Sequence, residues 1–416
     1  MGRVQRISHK EKIQMNNENF EPVLRFTVVS DVHYKDEHSV ERERMADAIA
    51  TSYKLAENEK YNRIDALYVV GDFANKGTLT QMEAFKETLD EGIKGDTVVN
   101  LSLASHEFMF NGVEGAYERF DKVFSQAVDT HKVINGFHFI SVSCSDRCKY
   151  DDSKRAFVRK ALDEATADTP KKPIFFFQHP HIADTVYGSI NWGDDDLNDI
   201  LCDYPQIIDF SGHSHAPIND PRSIHQRHFT CVGTGTLSYF EGDDFDKVYG
   251  TLFPGKEKAA QMTIVEADKD GRVRIYPYDL ITHNFFPFVW KIDTPWDPMS
   301  FTYTDERYKS TLTPYFGEDA KAVITEETAD GFTVRFDQAK IDDEYVCAYR
   351  VYVKNSDGVI IRCSNVWSEY YFYDMPENLS VSFTGLKSGE YYAEIVAESF
   401  WAVKSSNILK SKKISI

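Results

Sequence analysis

The chain has 416 residues, long enough for two domains, and its 42% hydrophobic and 27% charged residues are ordinary for a globular protein. Its formal net charge of −19 disfavours nucleic acid and anionic membranes as partners, because the field of the whole protein repels phosphate groups. No apolar run is long enough to span a bilayer, and residues 1–22 form a polar N-terminal segment without the apolar stretch of a signal peptide. We therefore expect a cytoplasmic protein, with export left open, and the sequence does not indicate its oligomeric state.

Residues 23–285 alternate between short apolar runs and helical patterns. The runs are rich in Val, Ile and Phe, as is typical of strands buried on both faces, and they cover residues 24–29, 66–70, 97–103, 137–142, 173–177 and 207–210. Between them, apolar residues recur at helical spacing, for example Ala46, Ile49, Ala50 and Tyr53. This alternation predicts a layered α/β domain.

The remainder of the chain has a different pattern. Residues 286–313 show no steady period and contain three prolines, so we predict a connector on the surface. From residue 314 to 416, segments such as GFTVRFDQA and GEYYAEIVAES alternate polar and apolar residues, which predicts a small β-sandwich. The stretch VSFTGLKSGEYYAEIVAES resembles the closing strands of a fibronectin type III domain, with Leu386 and Tyr392 at the expected places.

Five short polar segments each follow a predicted strand. They are SDVH (30–33), GDFANKG (71–77), ASHE (104–107), QHPH (178–181) and GHSH (212–215). Ligand sites in layered α/β proteins form at the carboxyl ends of strands, so we expect these segments to meet.

The spacing within the segments suits metal ligands. Asp31 and His33 are two residues apart, so both would point to one side of an extended strand end, and His213 and His215 repeat that arrangement. A carboxylate with imidazoles and no thiolate suits Mn, Fe, Zn or Co rather than an iron–sulfur cluster. Taken alone, the Asp31/His33 pair is better explained as a polar cap at a strand end, but beside GHSH and GDFANKG the metal interpretation is favoured.

Two further segments extend this set. Asp72 adds a carboxylate that can bridge two cations, and His179 adds an imidazole, with His181 as the alternative ligand from the same segment. In the GDFANKG loop, Asn75 is either a turn residue or a phosphate contact.

The order of these segments resembles the calcineurin-like metallophosphoesterase superfamily, whose pattern is DxH, GDxxxxG, GNH(D/E), a His after an apolar strand, and GHxH. The resemblance covers roughly residues 24–285 and implies a four-layer α/β/β/α sandwich. It also implies a centre of two metal ions, with Asp72 as the bridge between them. One ion would be held by Asp31, His33, Asp72 and His215, and the other by Asp72, His179 and His213.

The resemblance further implies hydrolysis of phosphoesters, either monoesters or diesters. Two cations about 3.5–4 Å apart would activate a water for attack on phosphorus. His106 would sit beside the phosphate and stabilise or protonate the leaving oxygen, and Asn75 would contact the phosphate. The expected substrate is a phosphorylated small molecule.

Ser105 departs from the family pattern, which places Asn there as an amide-oxygen ligand of the second metal. A hydroxyl is shorter and donates less electron density, so we expect a weaker second site in which water fills the gap. A shifted strand end, with Glu107 or His181 as the ligand, is the alternative. Ser105 also supports a second hypothesis, a binding or adhesion protein that keeps the fold but has lost turnover.

Six cysteines are scattered through the chain, which is too sparse for a disulfide framework. Cys144 and Cys148 stand close together in the segment CSDRC, a spacing that suggests metal binding, but no second cysteine pair accompanies them. We expect free thiols, which suit a reducing compartment.

Overall fold

The computed structural model describes residues 19–243, 249–342 and 344–416. The chain divides into two compact units, the first ending at Asp305 and the second beginning at Glu306. Of the predicted N-terminal segment, residues 1–18 lie outside the described residues.

The first unit alternates strands and helices along the chain. Its helices are α1 (Val40–Ala56), α2 (Leu79–Gly92), α3 (Gly112–Phe124), α4 (Asp152–Asp168), α5 (Ser189–Trp192) and α6 (Asn198–Leu201). Its strands are β1 (Pro22–Val29), β2 (Ala66–Val70), β3 (Val98–Ser102), β4 (Thr130–Ile134), β5 (Phe137–Ser141), β6 (Ile174–Phe177), β7 (His181–Ile182), β8 (Gly193–Asp194), β9 (Ile207–Ser211), β10 (Ile224–Gln226), β11 (Thr230–Gly233), β12 (Glu241–Asp243), β13 (Tyr249–Leu252), β14 (Gln261–Asp268), β15 (Val273–Asp279), β16 (Asn284–Phe285) and β17 (Trp290–Ile292). All six predicted apolar runs are strands, and the α/β prediction is confirmed.

Two large sheets carry this unit. One runs in the order β16-β15-β14-β1-β2-β3, with β17 pairing β15, and its strands β1, β2 and β3 are parallel. The other runs β10-β11-β9-β6-β5-β4, and its strands β5, β6, β9 and β11 are parallel. Strand β17 lies within the segment predicted as a connector. It pairs with β15, and its residues Trp290 and Ile292 are buried.

The two sheets face each other across a layer of aromatic rings. Phe26 of the first sheet lies 5.1 Å from Phe139 and 4.8 Å from Phe175 of the second, measured between ring centroids. Tyr68 stacks on Phe177 at 3.9 Å. Since side chains alternate along a strand, the neighbours of these residues point to the outer faces of the sheets.

Helices cover both outer faces. Helices α1 and α2 bury Ile49 and Phe85 in one core cluster with Val69 of the first sheet, and α4 buries Leu162 with Ile174 of the second. The predicted four-layer α/β/β/α sandwich is therefore confirmed.

The buried face of α1 differs from the prediction. Ala46 and Ala50 are exposed, and the helix instead buries Met45, Ala48 and Ile49. Alanine contributes little apolar surface, so the larger Met45 determines which side of the helix faces the sheet.

The second unit is entirely β-structure in its described part, apart from a short 3-10 turn. Its strands are β18 (Ala322–Thr328), β19 (Gly331–Asp337), β20 (Ala348–Asn355), β21 (Ile360–Trp367), β22 (Asn378–Phe383), β23 (Glu390–Glu398), β24 (Leu409–Lys410) and β25 (Ile414–Ser415). One sheet runs β18-β19-β22, and the other runs β21-β20-β23-β24 with β25 pairing β23. Alternate residues such as Phe332, Val334, Val351 and Val353 fill the core between them, which confirms the small all-β sandwich.

No helix among the described residues has the length and apolar character needed to cross a bilayer.

Candidate metal centre

The predicted polar segments meet where the parallel strands of both sheets end. SDVH follows β1, GDFANKG follows β2 and ASHE follows β3, while QHPH and GHSH follow β6 and β9. The backbone joins them, because the amide of His33 donates to the carbonyl of Asp72 (3.0 Å) and the amide of His213 donates to Oδ2 of Asp31 (3.0 Å). The second of these bonds links the two sheets at this edge.

Five of the predicted ligands have left-handed backbone conformations. Their φ angles are 50° at Asp31, 50° at His33, 49° at Asp72, 70° at His213 and 52° at His215. We expected extended strand ends, and this part of the prediction is wrong, since each chain turns sharply at its ligand. Left-handed φ is unfavourable for residues other than glycine, and such strain concentrates at functional sites.

Two glycines permit the close approach of these turns. A Cβ on Gly71 would lie 2.5 Å from Nδ1 of His179, and a Cβ on Gly212 would lie 2.5 Å from Oδ2 of Asp31. Any side chain at either position would push a candidate ligand out of place.

Asp31, His33 and His215 form the first cluster of potential ligands. Nε2 of His215 lies 3.0 Å from Nε2 of His33 and 3.3 Å from Oδ1 of Asp31. Ligands bonded to one tetrahedral cation at about 2.0–2.3 Å are separated by roughly 3.3–3.8 Å. Nε2 of His33 and Oδ1 of Asp31 are 3.9 Å apart, so the three separations lie on either side of the spacing that one cation requires.

Asp31, Asp72 and His179 form an adjoining cluster. Nε2 of His179 lies 3.1 Å from Oδ2 of Asp72 and 3.9 Å from Oδ1 of Asp31. Oδ1 of Asp31 and Nε2 of His179 are both buried and form no hydrogen bond. Buried polar atoms are almost always satisfied, so two unsatisfied donor atoms facing one space fit a metal ion.

Backbone carbonyls fix the ring orientation of two imidazoles. Nδ1 of His179 donates to the carbonyl of Val70 (2.8 Å), and Nδ1 of His215 donates to the carbonyl of Tyr239 (2.9 Å). Each bond directs Nε2 toward the clusters, the arrangement that outer partners of metal-binding histidines usually impose.

Electrostatics couple these groups strongly. Although burial opposes it, His215 holds the pKa of Asp31 below its usual range, and His179 does the same for Asp72. Against burial, Asp72 raises the pKa of His179 well above its ordinary value. Burial, together with His215, lowers the pKa of His33 to about 3. The carboxylates are therefore ionised and able to bind cations.

His106 belongs to a further cluster of potential ligands, together with His33 and Asp72. Its backbone amide donates to Oδ1 of Asp72 (2.9 Å), and its Nδ1 donates to the carbonyl of Asn75 (2.8 Å). The ring packs edge-on against His33, with centroids 4.3 Å apart. Asn75 thus contributes a backbone contact, while Lys76 in the same loop is exposed.

The hydroxyl of Ser105 donates to both carboxylate oxygens of Asp72, at 3.3 and 3.1 Å. The two alternative ligands that the sequence offered are engaged elsewhere. Glu107 is fully buried and accepts the amides of Asp72, Ala74 and Ala104, so it braces the loops. Both ring nitrogens of His181 are hydrogen-bonded to serine hydroxyls at 2.7 Å.

Sequence reasoning missed Cys148. Its Sγ lies 3.5 Å from Nε2 of His213, and it forms a fourth cluster of potential ligands with His213 and His179. All six cysteines are free, as expected. A hydrogen bond from Cys144 and the imidazole of His213 lower the pKa of the Cys148 thiol to about 5. The close spacing of Cys144 and Cys148 in the segment CSDRC was the sequence feature that could have identified this residue.

Two aromatic residues also line the site. The ring of Tyr239 lies 4.2 Å from that of His215, and the ring of Trp192 lies 4.9 Å from that of His213. The sequence pattern gave no reason to select Trp192.

Comparison with known proteins agrees with this geometry. A family model of calcineurin-like phosphoesterases matches residues 24–217. A search of curated proteins finds no significant match.

Solved structures provide more distant similarities. Purple acid phosphatase from yellow lupin (Lupinus luteus) seeds is 13% identical, with a TM-score of 0.47, over 65% of this chain and 53% of the lupin chain. The match thus spans about half the length of that protein. The chicken CNTN1 FN1–FN3 domains are 13% identical, with a TM-score of 0.18, over 38% of this chain and 40% of theirs. Residues 24–217, a little under half of the chain, are thus similar to the calcineurin-like phosphoesterase family.

Proposed function

We propose that the protein hydrolyses phosphoesters with two metal ions held at the strand ends. The first ion is assigned to Asp31, His33, Asp72 and His215, and the second to Asp72, His179 and His213. The observation that supports this most directly is the overlap of the clusters, since Asp31 and Asp72 each belong to two of them. Overlapping clusters suit two adjacent cations that share a carboxylate.

Cations bound there would lower the pKa of a water and neutralise phosphoryl oxygens, and Mn, Fe, Zn and Co all suit the donor set. The chain's own contribution is orientation. Asp72 is held by the amide of His106 and the hydroxyl of Ser105, so its carboxylate cannot rotate freely between the two clusters. His179 and His215 are fixed by backbone carbonyls.

His106 is the candidate acid at the leaving group. Because Nδ1 donates to the carbonyl of Asn75, Nε2 is the nitrogen left to transfer a proton to the departing oxygen or to stabilise its charge. Asn75 therefore acts on the substrate through His106, and its side chain remains a proposed phosphate contact.

We assign a phosphorylated small molecule as the substrate class. The net charge of −19 disfavours long polyanions, whereas bound cations reverse the field locally for one phosphate group. The free thiols suit a reducing compartment such as the cytoplasm.

The test is a panel of chromogenic phosphomonoesters and phosphodiesters, run on stripped protein with Mn²⁺, Fe²⁺, Zn²⁺ or Co²⁺ added. We expect hydrolysis only when metal is present. Protein that binds metal but hydrolyses no substrate in the panel would instead favour the binding protein that has lost turnover.

A further inference from the structure

Cys148 occupies a place that the proposed ligand sets do not use. Its half-buried thiol lies 3.5 Å from Nε2 and 3.9 Å from Nδ1 of His213. The donor atoms of Cys148, His179 and His213 all lie within 4.8 Å of one another. A tight turn holds the cysteine there, because Lys149 donates to the carbonyl of Asp146 and Ser145 donates to that of Lys149.

The 3.5 Å separation has a simple physical meaning. In zinc sites the metal–sulfur distance is about 2.3 Å and the metal–nitrogen distance about 2.0–2.1 Å, so tetrahedral geometry places the two ligand atoms roughly 3.5 Å apart. Cys148 and His213 thus already have the separation of two ligands on one ion.

An independent observation points into the same space. Nε2 of His179 is completely buried, belongs to this cluster and forms no hydrogen bond. Its Nδ1 is committed to the carbonyl of Val70, so Nε2, which faces Oδ2 of Asp72 at 3.1 Å, is the atom available to a metal ion.

The second metal also lacks a ligand in this chain. The family pattern has an amide oxygen where Ser105 stands, and the Ser105 hydroxyl donates to Asp72 instead. Glu107 is occupied by three backbone amides, and His181 by two serine hydroxyls. Cys148, in contrast, supplies a donor atom 3.5 Å from Nε2 of His213.

We propose that the thiolate of Cys148 is the fourth protein ligand of the second metal ion, together with Asp72, His179 and His213. The inference rests on the proposed metal centre. Thiolates select Zn²⁺ and similar soft or borderline ions over Mg²⁺ and Mn²⁺. The second site therefore binds Zn²⁺ or Co²⁺ tightly, which reverses the expectation of a weak site drawn from Ser105.

Cobalt provides the direct test, because a thiolate bound to Co²⁺ gives a charge-transfer absorption in the near ultraviolet. The stripped full chain is titrated with Co²⁺ under reducing conditions, and Cys148→Ser is compared with Cys202→Ser, a half-buried cysteine away from the clusters. The wild type and Cys202→Ser show the band, and Cys148→Ser loses it. In Cys148→Ser the second Co²⁺ ion also binds more weakly than in the wild type. The loss of affinity exceeds the roughly 10–100-fold that follows when a residue hydrogen-bonded to a metal ligand is replaced. No band in fully loaded wild type, or a band retained in Cys148→Ser, overturns the proposal.

Alkylation of the wild type gives a second test that requires no variant to fold. Zn²⁺ protects Cys148 from iodoacetamide, while the exposed Cys363 is labelled equally with and without metal, as mass spectrometry of peptides would measure. Equal labelling of Cys148 in both states contradicts the proposal. Protein that shows the cobalt band without hydrolysis refutes the proposed activity alone, whereas hydrolysis with two ions and no band refutes the Cys148 ligand alone.

Discussion

Replacement of His106 by alanine separates chemistry from metal binding. The imidazole is fixed by the carbonyl of Asn75 at 2.8 Å and packs against His33, but the contact with Asp72 comes from the backbone amide. His106→Ala therefore removes the ring and keeps the amide that orients the bridging carboxylate. We expect the metal content of the variant to match that of the wild type.

The expected loss of rate follows from the role of the ring. A group that protonates or stabilises a leaving oxygen contributes roughly 10²–10³ in turnover, which corresponds to about 3–4 kcal/mol of transition-state stabilisation. The loss should shrink for esters whose leaving groups need no proton, such as p-nitrophenol, and should be largest for alkyl phosphates.

The assay measures kcat with both substrates and metal content by mass spectrometry. His228→Ala is the matched control, because His228 is exposed and lies in the turn between β10 and β11. Equal loss of metal and of activity in His106→Ala would refute the reasoning and make His106 a ligand. The same rate loss for both leaving groups would refute its role as the acid.

Three further predictions follow from the site and the fold. Asp72→Ala and His213→Ala should each abolish hydrolysis with the fold intact by circular dichroism, and Asp72→Ala should lose more metal because the carboxylate serves both sites. An Asp72 variant with two tightly bound ions would contradict the bridging assignment. Burial raises the pKa of Asp209 to about 8 from 3.8, so between these values the folded chain keeps a proton that the unfolded chain loses, and stability falls as pH rises. By pH 9 this proton should cost the wild type roughly 4–6 kcal/mol of its free energy of unfolding, a decrease that Asp209→Asn should not show. Denaturant unfolding at several pH values measures it, and parallel pH profiles for the two proteins would contradict the prediction. A chain ending at Asp305 should keep its activity on a chromogenic phosphoester, and soluble, metal-loaded but inactive protein would implicate the second unit in catalysis.

The fold was largely predictable because buried parallel strands are continuous apolar runs. Five of the six runs ended at one of the polar segments, so Asp31 and Asp72 could be placed at strand ends from sequence alone. The face of α1 was not predictable in this way, since Ala46 and Ala50 fit the same helical period as the residues that are buried. Only contact with the sheet distinguishes the two faces.

The features of the site that the sequence did not predict depend on tertiary structure. The left-handed turns at Asp31 and His33 carry no compositional signal, because neither residue is a glycine. Cys148 comes next to His213 although 65 residues separate them. It lies in a loop after β5 that has no repeating pattern, so its distance from the other ligands depended on the arrangement of β5, β6 and β9.

Metal stoichiometry measured together with turnover tests the central claim most directly. Protein stripped of metal is titrated with Zn²⁺, and bound metal and phosphoester hydrolysis are measured at each step. We predict no hydrolysis without metal and a rate that rises until two ions are bound per chain. Hydrolysis that persists in excess chelator with no bound metal, or a maximal rate reached with a single ion, would contradict the two-metal centre at Asp31 and Asp72.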